Sequence, residues 1–445
     1  MFAWVHLALA RPTDGGQFSF DAADVVTSLD GPTQTVRVWY STAGPNAVIL
    51  NDEDENGLPD FAELVAAEAE SVLTAYADVG FRSPVGDGVR GGSPAMDAYL
   101  VDFAGMSDGQ FAAESCDGDI CAGYFVMEND FQGYGYSDLA EAVRVLTSHE
   151  LFHAVQAAYD ASAPVWFSEG TAVWAERFYD PDSEDFLSFC DAYLQDTGRS
   201  LDEPPAGPVP AFAYATALWW WFLTEAYGYE VMLELLDSTV DDGDILASMA
   251  ALEAVHSGSL SHDWARFARW NLATGERAGG MESYPFAEDL RAIRIREDGP
   301  NLADDNRFYP LAATYYSIDH GGGALGFGIE EDAPNLTFSV HPADDGGHAL
   351  EALATFSGTP TDLGDQPPGT YWLVGSNPTL DTQSTKRMIC FGADVSACAP
   401  VEQAELAGDG DLEPSCGCGA TPAPERNGSA LIGAVLALAA ARRRR

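Results

Sequence analysis

The chain has 445 residues, with 70 Asp and Glu against 21 Lys and Arg and a formal net charge of −49. A surface this acidic repels nucleic acid and anionic membrane and stays hydrated in salt, so polyanionic partners are excluded. The length exceeds one ordinary core, and 46% hydrophobic residues suffice for two or three lobes.

The first stretch, Met1–Ala10, is apolar, with Ala8 and Ala10 in an A-x-A-like setting but no basic residues ahead of it. Residues 1–16 therefore read either as the remnant of a signal peptide or as a stray apolar start of a cytoplasmic protein. Residues 17–137 read as an α+β lobe, because runs such as Thr35–Tyr40 and Met96–Val101 alternate as strands do. Within this lobe, Asp52–Glu63 matches D-x-D-x-N-G-x5-E. That pattern places oxygen ligands for calcium at Asp52, Asp54, Asn56, Asp60 and Glu63, adds the backbone carbonyl of Leu58, and sets Gly57 at the sharp turn. Val48–Leu50 ahead of it looks like a strand, so the expectation is an isolated EF-hand-like loop opening a helix over Phe61–Ala77, with a structural calcium ion. A solvated acidic turn is the plainer alternative.

Cys116 and Cys121 bracket a short acidic turn, and Cys390 and Cys398 bracket another short loop. Each pair is expected to form a local disulfide, as in an oxidising compartment. Neither has C-x-x-C spacing, which argues against a zinc ribbon, and Cys190 in an apolar stretch reads as a buried thiol.

A helix is expected from about Leu139 to Ala158, started by Asp138 with Glu141 three residues on and carrying a buried stripe of Leu139, Val143, Leu146 and Val155. His149, Glu150 and His153 lie on it as H-E-x-x-H. Two imidazoles four residues apart project from one helical face and can meet one zinc ion, while Glu150 can serve a zinc-bound water as base. A catalytic zinc site usually has three protein ligands, so a third is needed. Metzincins place Gly seven and His ten residues after the first His; here those positions hold Gln156 and Tyr159, which excludes that class.

Downstream, Trp166–Glu176 reads W-F-S-E-G-T-A-V-W-A-E and resembles the W-x-x-E-G-x-A segment of gluzincins, the thermolysin and aminopeptidase-N type of metallopeptidase. The resemblance implies that Glu169 is the third zinc ligand, carried back to the metal by a helix-loop-helix around Pro164. Fifteen residues separate it from His153, slightly fewer than in well-known gluzincins, and Asp160 is the rival ligand. Glu176, two turns beyond Glu169, reads either as an acceptor for a ligand imidazole or as a solvated carboxylate. In the aminopeptidase-N type a Tyr in a Y-x-K-G segment binds the oxyanion. Tyr214 stands in the comparable region without the Lys and Gly, and a core tyrosine is the competing reading.

Residues 138–300 read as a mainly helical lobe with further helices at Phe186–Gln195, Tyr214–Tyr227, Glu230–Leu236 and Trp264–Leu272. Residues 301–402 read as a small β-sandwich, with strands at Tyr315–Ile318, Leu336–Val340 and Thr370–Val374 between Gly, Pro and Asp turns. His256, His262, His320, His341 and His348 have no metal spacing and are expected at the surface. Residues 403–428 form a Gly- and Pro-rich linker containing Cys416 and Cys418, and residues 429–445 an apolar helix ending in Arg442–Arg445. This tail resembles the MYXO-CTERM sorting signal of myxobacteria, and its apolar run is short for a span, which needs about 17–25 residues.

Together the resemblances imply an α+β, gluzincin-like, two-lobed zinc metallopeptidase with zinc between an α+β lobe and a helical lobe, followed by a β-sandwich. The protein is expected to be exported, to act on a peptide or protein, and to reach the cell envelope or the medium through its tail. No G-x-M-E-N motif is present, which tilts the expectation toward an endopeptidase. A catalytically inactive surface protein on the same fold is the alternative, against which the non-ligand Glu150 speaks.

Overall fold

Alternation of apolar and polar residues builds the first sheet. In a computed structural model that describes residues 10–398 apart from 16, 17, 208, 209, 243, 257, 258, 298, 381 and 382, Val26–Asp30 (β1) and Val36–Ser41 (β2) pair antiparallel. Val36, Val38 and Tyr40 of β2 point into the core while Arg37 and Trp39 stay partly exposed. The helix Asp60–Asp78 (α1) then returns the chain to Met96–Val101 (β3), parallel to β2, as a parallel neighbour requires. Gly109–Asp117 (β4) and Ile120–Glu128 (β5) follow as an antiparallel pair, and the Cys116–Cys121 disulfide closes their turn. The order β1-β2-β3-β5-β4 leaves β5 interior and buried and β4 on the edge.

Residues 10–15 pack against this sheet without pairing into it. Arg11 is 5% exposed and forms ion pairs with Asp87, Asp97 and Glu114, while Pro12–Asp14 make a single 3-10 turn. Burial opposes the guanidinium charge, but the three carboxylates more than offset it and hold Arg11 firmly protonated.

The helical part comprises Leu139–Gln156 (α2), Val165–Tyr179 (α3), Leu187–Leu194 (α4), Ala211–Ala215 (α5), Ala217–Tyr227 (α6), Glu230–Asp242 (α7), Ile245–His256 (α8) and Leu260–Leu272 (α9). Trp174, Trp219, Trp220 and Trp264 are fully buried within it. Each such indole removes roughly 150–250 Å² from water, a gross gain of about 4–6 kcal/mol. The face of α1 packs on α2 through Tyr76 and Phe152, whose ring centroids are 5.4 Å apart.

Two sheets follow, built from Arg296–Glu297 (β6), Asn301–Phe308 (β7), Ala312–His320 (β8), Gly323–Ile329 (β9), Ala333–Pro342 (β10), Ala354–Gly358 (β11), Thr361–Gln366 (β12), Gly369–Asn377 (β13) and Thr385–Gly392 (β14). Their orders are β11-β10-β13-β8-β6 and β12-β9-β14-β7, with Phe308, Phe327, Phe338, Leu373 and Phe391 in the core they share. The Cys390–Cys398 disulfide ties the end of β14 to the turn after it. This β-rich part is stitched to the helices by backbone bonds from Leu201 to Leu311 and from Ala313 to Thr197, and by the Tyr315 hydroxyl on the Ala268 carbonyl. The chain is thus a mixed α+β protein with a β-rich part.

Several expectations are corrected. Val48–Leu50 is not a strand: only Ala47 forms a bridge, to Ser41, because the chain must already turn so that the Asn51 carbonyl can accept the Asp60 N–H. The helix expected over Tyr214–Tyr227 is divided at Thr216, and residues 245–256, not anticipated, form α8. His320 and His341 are buried, at 4% and 0% exposure, not at the surface. His256 and His262 are exposed and His348 half-exposed. Of the signal-peptide reading over residues 1–16, residues 1–9 and 16 lie outside the described residues, as do the linker and sorting tail over residues 403–445. Among the described residues no helix is long and apolar enough to cross a membrane.

Candidate metal centre

The helix α2 begins where the sequence says it should: Asp138 accepts the Glu141 N–H at 2.8 Å and the Glu141 carboxylate accepts the Ser137 N–H. Apolar neighbours surround it, and the Tyr76 hydroxyl donates to the Ser148 carbonyl at 2.8 Å, fixing α2 against α1. His149 and His153 therefore present their rings from a rigid face, with their Nε2 atoms 3.1 Å apart. After α2 the chain turns over residues 157–164 and α3 starts behind Pro164. Its second turn brings Glu169 back, with Oε2 3.4 Å from His149 Nε2 and 3.5 Å from His153 Nε2.

These separations suit zinc. Ligand atoms about 2.0–2.1 Å from an ion and disposed tetrahedrally lie roughly 3.3 Å from one another, against the 3.1, 3.4 and 3.5 Å found here. Two nitrogens and one carboxylate oxygen, largely buried, are also the donor types zinc takes. Asp160 is held elsewhere: its carboxylate accepts the Ser162 N–H and hydroxyl at 2.8 and 2.6 Å.

Each imidazole is braced through its second nitrogen. His149 Nδ1 lies 2.7 Å from Glu176 Oε1, and His153 Nδ1 lies 2.8 Å from Gln156 Oε1. Of the two readings of Glu176, the position is the acceptor's, and its exposure is 3%. Burial, only partly opposed by His149, pushes the Glu176 carboxyl up to about 7. Burial also works against the Glu169 charge, yet the two imidazoles outweigh it and hold that carboxyl well below the usual carboxylate range. The rings respond in kind: burial disfavours their protonation, but Glu169 and Glu176 raise His149, and Glu169 raises His153.

Glu150 sits on the next position of α2 and is 4% exposed; burial raises its carboxyl, with His149 and His153 opposing. Its Oε2 atom has no hydrogen-bond partner among the described residues. Gly109, at the start of the edge strand β4, passes so near that a Cβ there would lie 2.7 Å from Glu150 Oε1. Tyr214 on α5 lies against His149: its ring centroid is 5.8 Å from that of His149, and it stacks on Phe189 at 5.0 Å. Burial, then Glu169 and Glu150, push its hydroxyl well above its ordinary value.

Why Gly follows Glu169 is a matter of space. A Cβ on Gly170 would meet Thr216 Oγ1 at 2.0 Å and Trp220 Nε1 at 2.8 Å. The Thr216 hydroxyl bonds the Trp166 carbonyl at 2.6 Å, so α3 and the α5–α6 junction dock at this glycine. Gln156 and Thr216 are the residues sequence reading missed. Gln156 had a legible signal, lying three residues after His153 on the same face, but it stood out only as a failed metzincin glycine.

No family model matches the chain, and no curated protein does. Among solved structures, the chain is similar to PliG of Aeromonas hydrophila, a periplasmic inhibitor of g-type lysozyme, at 11% identity over 22% of this chain and 96% of that one, with a TM-score of 0.17. It is similar also to the pre-peptidase C-terminal domain of a Bacillus anthracis collagenase, at 11% identity over 23% and 96%, with a TM-score of 0.18. Scores of this size leave the metal centre to be judged on its own geometry.

The acidic loop before α1 curls around its carboxylates. Oxygens of Asp52, Asp54 and Asp60 lie within 4.8 Å of one another. Gly57 turns with φ 88°, and its N–H donates to Asp52 at 2.8 Å. Glu63 is in the first turn of α1 and accepts from the Asn56 amide at 2.9 Å. Asn56 gives its amide oxygen to the Leu58 N–H and turns its nitrogen toward Asp54 and Glu63.

Proposed function

We propose that the protein is an exported zinc metallopeptidase of gluzincin-like two-lobed design, acting on peptides or proteins. The convergence of His149, His153 and Glu169 at 3.1–3.5 Å, beside the buried carboxylate of Glu150, carries this reading. Zinc held by those three residues would supply Lewis acidity, making water more acidic and a peptide carbonyl more electrophilic. Glu150 takes the proton of the attacking water and passes it to the leaving amine. Tyr214, packed beside His149, offers a hydroxyl to the oxyanion that develops on the carbonyl. Among the described residues β4 pairs only with β5, so its other edge is available for an extended peptide to add as a strand. Because β4 starts at Gly109 against Glu150, a peptide so held passes the base.

Calcium at Asp52, Asp54 and Asp60, with Glu63 and the Leu58 carbonyl as further ligands and with Asn56 joining them once its amide turns its oxygen inward, would stabilise the start of α1. Attachment to the cell envelope or release rests on residues 403–445 and on the resemblance of that tail to a sorting signal.

Purified wild-type protein is expected to contain one zinc ion and to cut peptides. Glu150→Gln should keep the zinc and lose at least about a hundredfold in rate, whereas Glu169→Ala should lose the zinc and Asp160→Ala should not. Undiminished cleavage by Glu150→Gln sinks the mechanism, and loss of zinc from Asp160→Ala sinks the ligand assignment. Zinc without cleavage of any peptide would favour the catalytically silent surface protein.

A further inference from the structure

One buried amide joins both halves of the metal centre. Gln156, the last residue of α2, is 4% exposed. Its Nε2 lies 2.8 Å from the Ser168 carbonyl oxygen and 2.6 Å from Thr171 Oγ1, both on α3. A backbone carbonyl can only accept, so the amide nitrogen must face α3 and the amide oxygen must face His153. That oxygen is 2.8 Å from His153 Nδ1 and also receives the Ser168 hydroxyl at 3.2 Å. An amide oxygen is itself only an acceptor, so Nδ1 carries a proton and Nε2, facing His149 and Glu169, is the nitrogen that can give its lone pair to a metal.

A main-chain carbonyl thus fixes which nitrogen of His153 can offer a lone pair to a metal. Ser168 precedes Glu169, so the same amide that selects the His153 tautomer also pins the turn presenting the third ligand. The other imidazole is braced differently, by the carboxylate of Glu176. Charge explains the difference. Glu150, Glu169 and Glu176 already place three carboxylates in one buried site, and a fourth at residue 156 would face the Ser168 carbonyl with no proton to give.

We propose that Gln156 is a positioning residue that fixes the His153 tautomer and the Glu169 turn together, and that its neutrality is required. This rests on the zinc reading above. The test is zinc affinity, measured by chelator competition on wild type, Gln156→Met and Gln156→Glu, with thermal unfolding of the zinc-free proteins as the control for folding. Gln156→Met, which keeps the bulk and removes both polar functions, should bind zinc about ten- to a hundredfold more weakly. Gln156→Glu keeps an acceptor for His153 but loses the donor to α3, and it should not restore affinity. A folded Gln156→Met within twofold of wild type overturns the proposal, as does rescue by Gln156→Glu to wild-type affinity. A second measurement needs no variant: in the cadmium-loaded wild type, nitrogen NMR should show metal coupling to His153 Nε2 and a slowly exchanging proton on Nδ1. Coupling to Nδ1 overturns it. A wild type that binds neither metal defeats the zinc reading itself, an outcome distinct from an unaffected Gln156→Met.

Discussion

Gly170 shows how little room surrounds Glu169. A methyl group there would lie 2.0 Å from Thr216 Oγ1, and that hydroxyl cannot swing aside without abandoning the Trp166 and Ala213 carbonyls, at 2.6 and 2.7 Å. Gly170→Ala is therefore expected to push α3 away from α5 and α6, costing about 1–3 kcal/mol in urea unfolding and weakening zinc retention through Glu169. Unchanged stability and zinc content would show that the junction yields easily. At this scale the site was readable in part. His149, Glu150 and His153 declare themselves because helical spacing is a local property, and Glu169 through a resembling segment. Thr216 was hidden because it lies 46 positions after Gly170 in the chain and meets it only through tertiary docking.

At the scale of elements, β10 carries a buried neutral histidine. His341 Nδ1 lies 2.9 Å from the Leu350 carbonyl and must donate to it, which leaves Nε2 to accept the Ser339 hydroxyl at 2.9 Å. Burial lowers its pKa from 6.5 to about 4. The unfolded chain therefore binds the proton more readily, and the stabilisation, whole above pH 6.5, is lost as pH falls toward 4. The amount is at most about 3 kcal/mol. Urea titrations from pH 7 to 4 should show this slope in wild type and a flatter one in His341→Gln; parallel curves would rule the residue out. The expectation of a surface histidine failed because β10 alternates no further once both sheets and α9 enclose it. The same cause limited other boundaries. Residues 214–227 read as one helix by period, yet Thr216 breaks it by bonding outside it, and α8 carried no pattern distinct from its neighbours.

The whole molecule carries a net charge of −49, so self-repulsion acts on every acidic loop and is screened by salt. Against that background the Asp52, Asp54 and Asp60 cluster makes a selective claim. Millimolar calcium should raise the melting temperature beyond what sodium chloride of equal ionic strength achieves, a site saturated a hundredfold above its Kd contributing about 2.7 kcal/mol. Asp54→Ala should remove the excess. Equal shifts with both salts would leave only screening. The broad succession of an α+β part, helices and strands was legible because composition and periodicity change along the chain; the stitching of the sheets to α9 was not, since Tyr315 and Trp372 look like ordinary strand residues until the helices meet them.

Arg11 sets an order of events. Its partners Asp87, Asp97 and Glu114 lie 76, 86 and 103 residues further along, so a residue synthesised early must wait for carboxylates that arrive late. Closing loops of that length is slow relative to local helix formation. The sheet can gather its apolar strands first, but Asp87 and Asp97 resist being sealed until the guanidinium reaches them, while Glu114 also has Arg90 at 3.1 Å. Burial of those acids therefore depends on contacts from Arg11 that span 76 to 103 residues of chain, in the sheet whose edge strand passes Glu150.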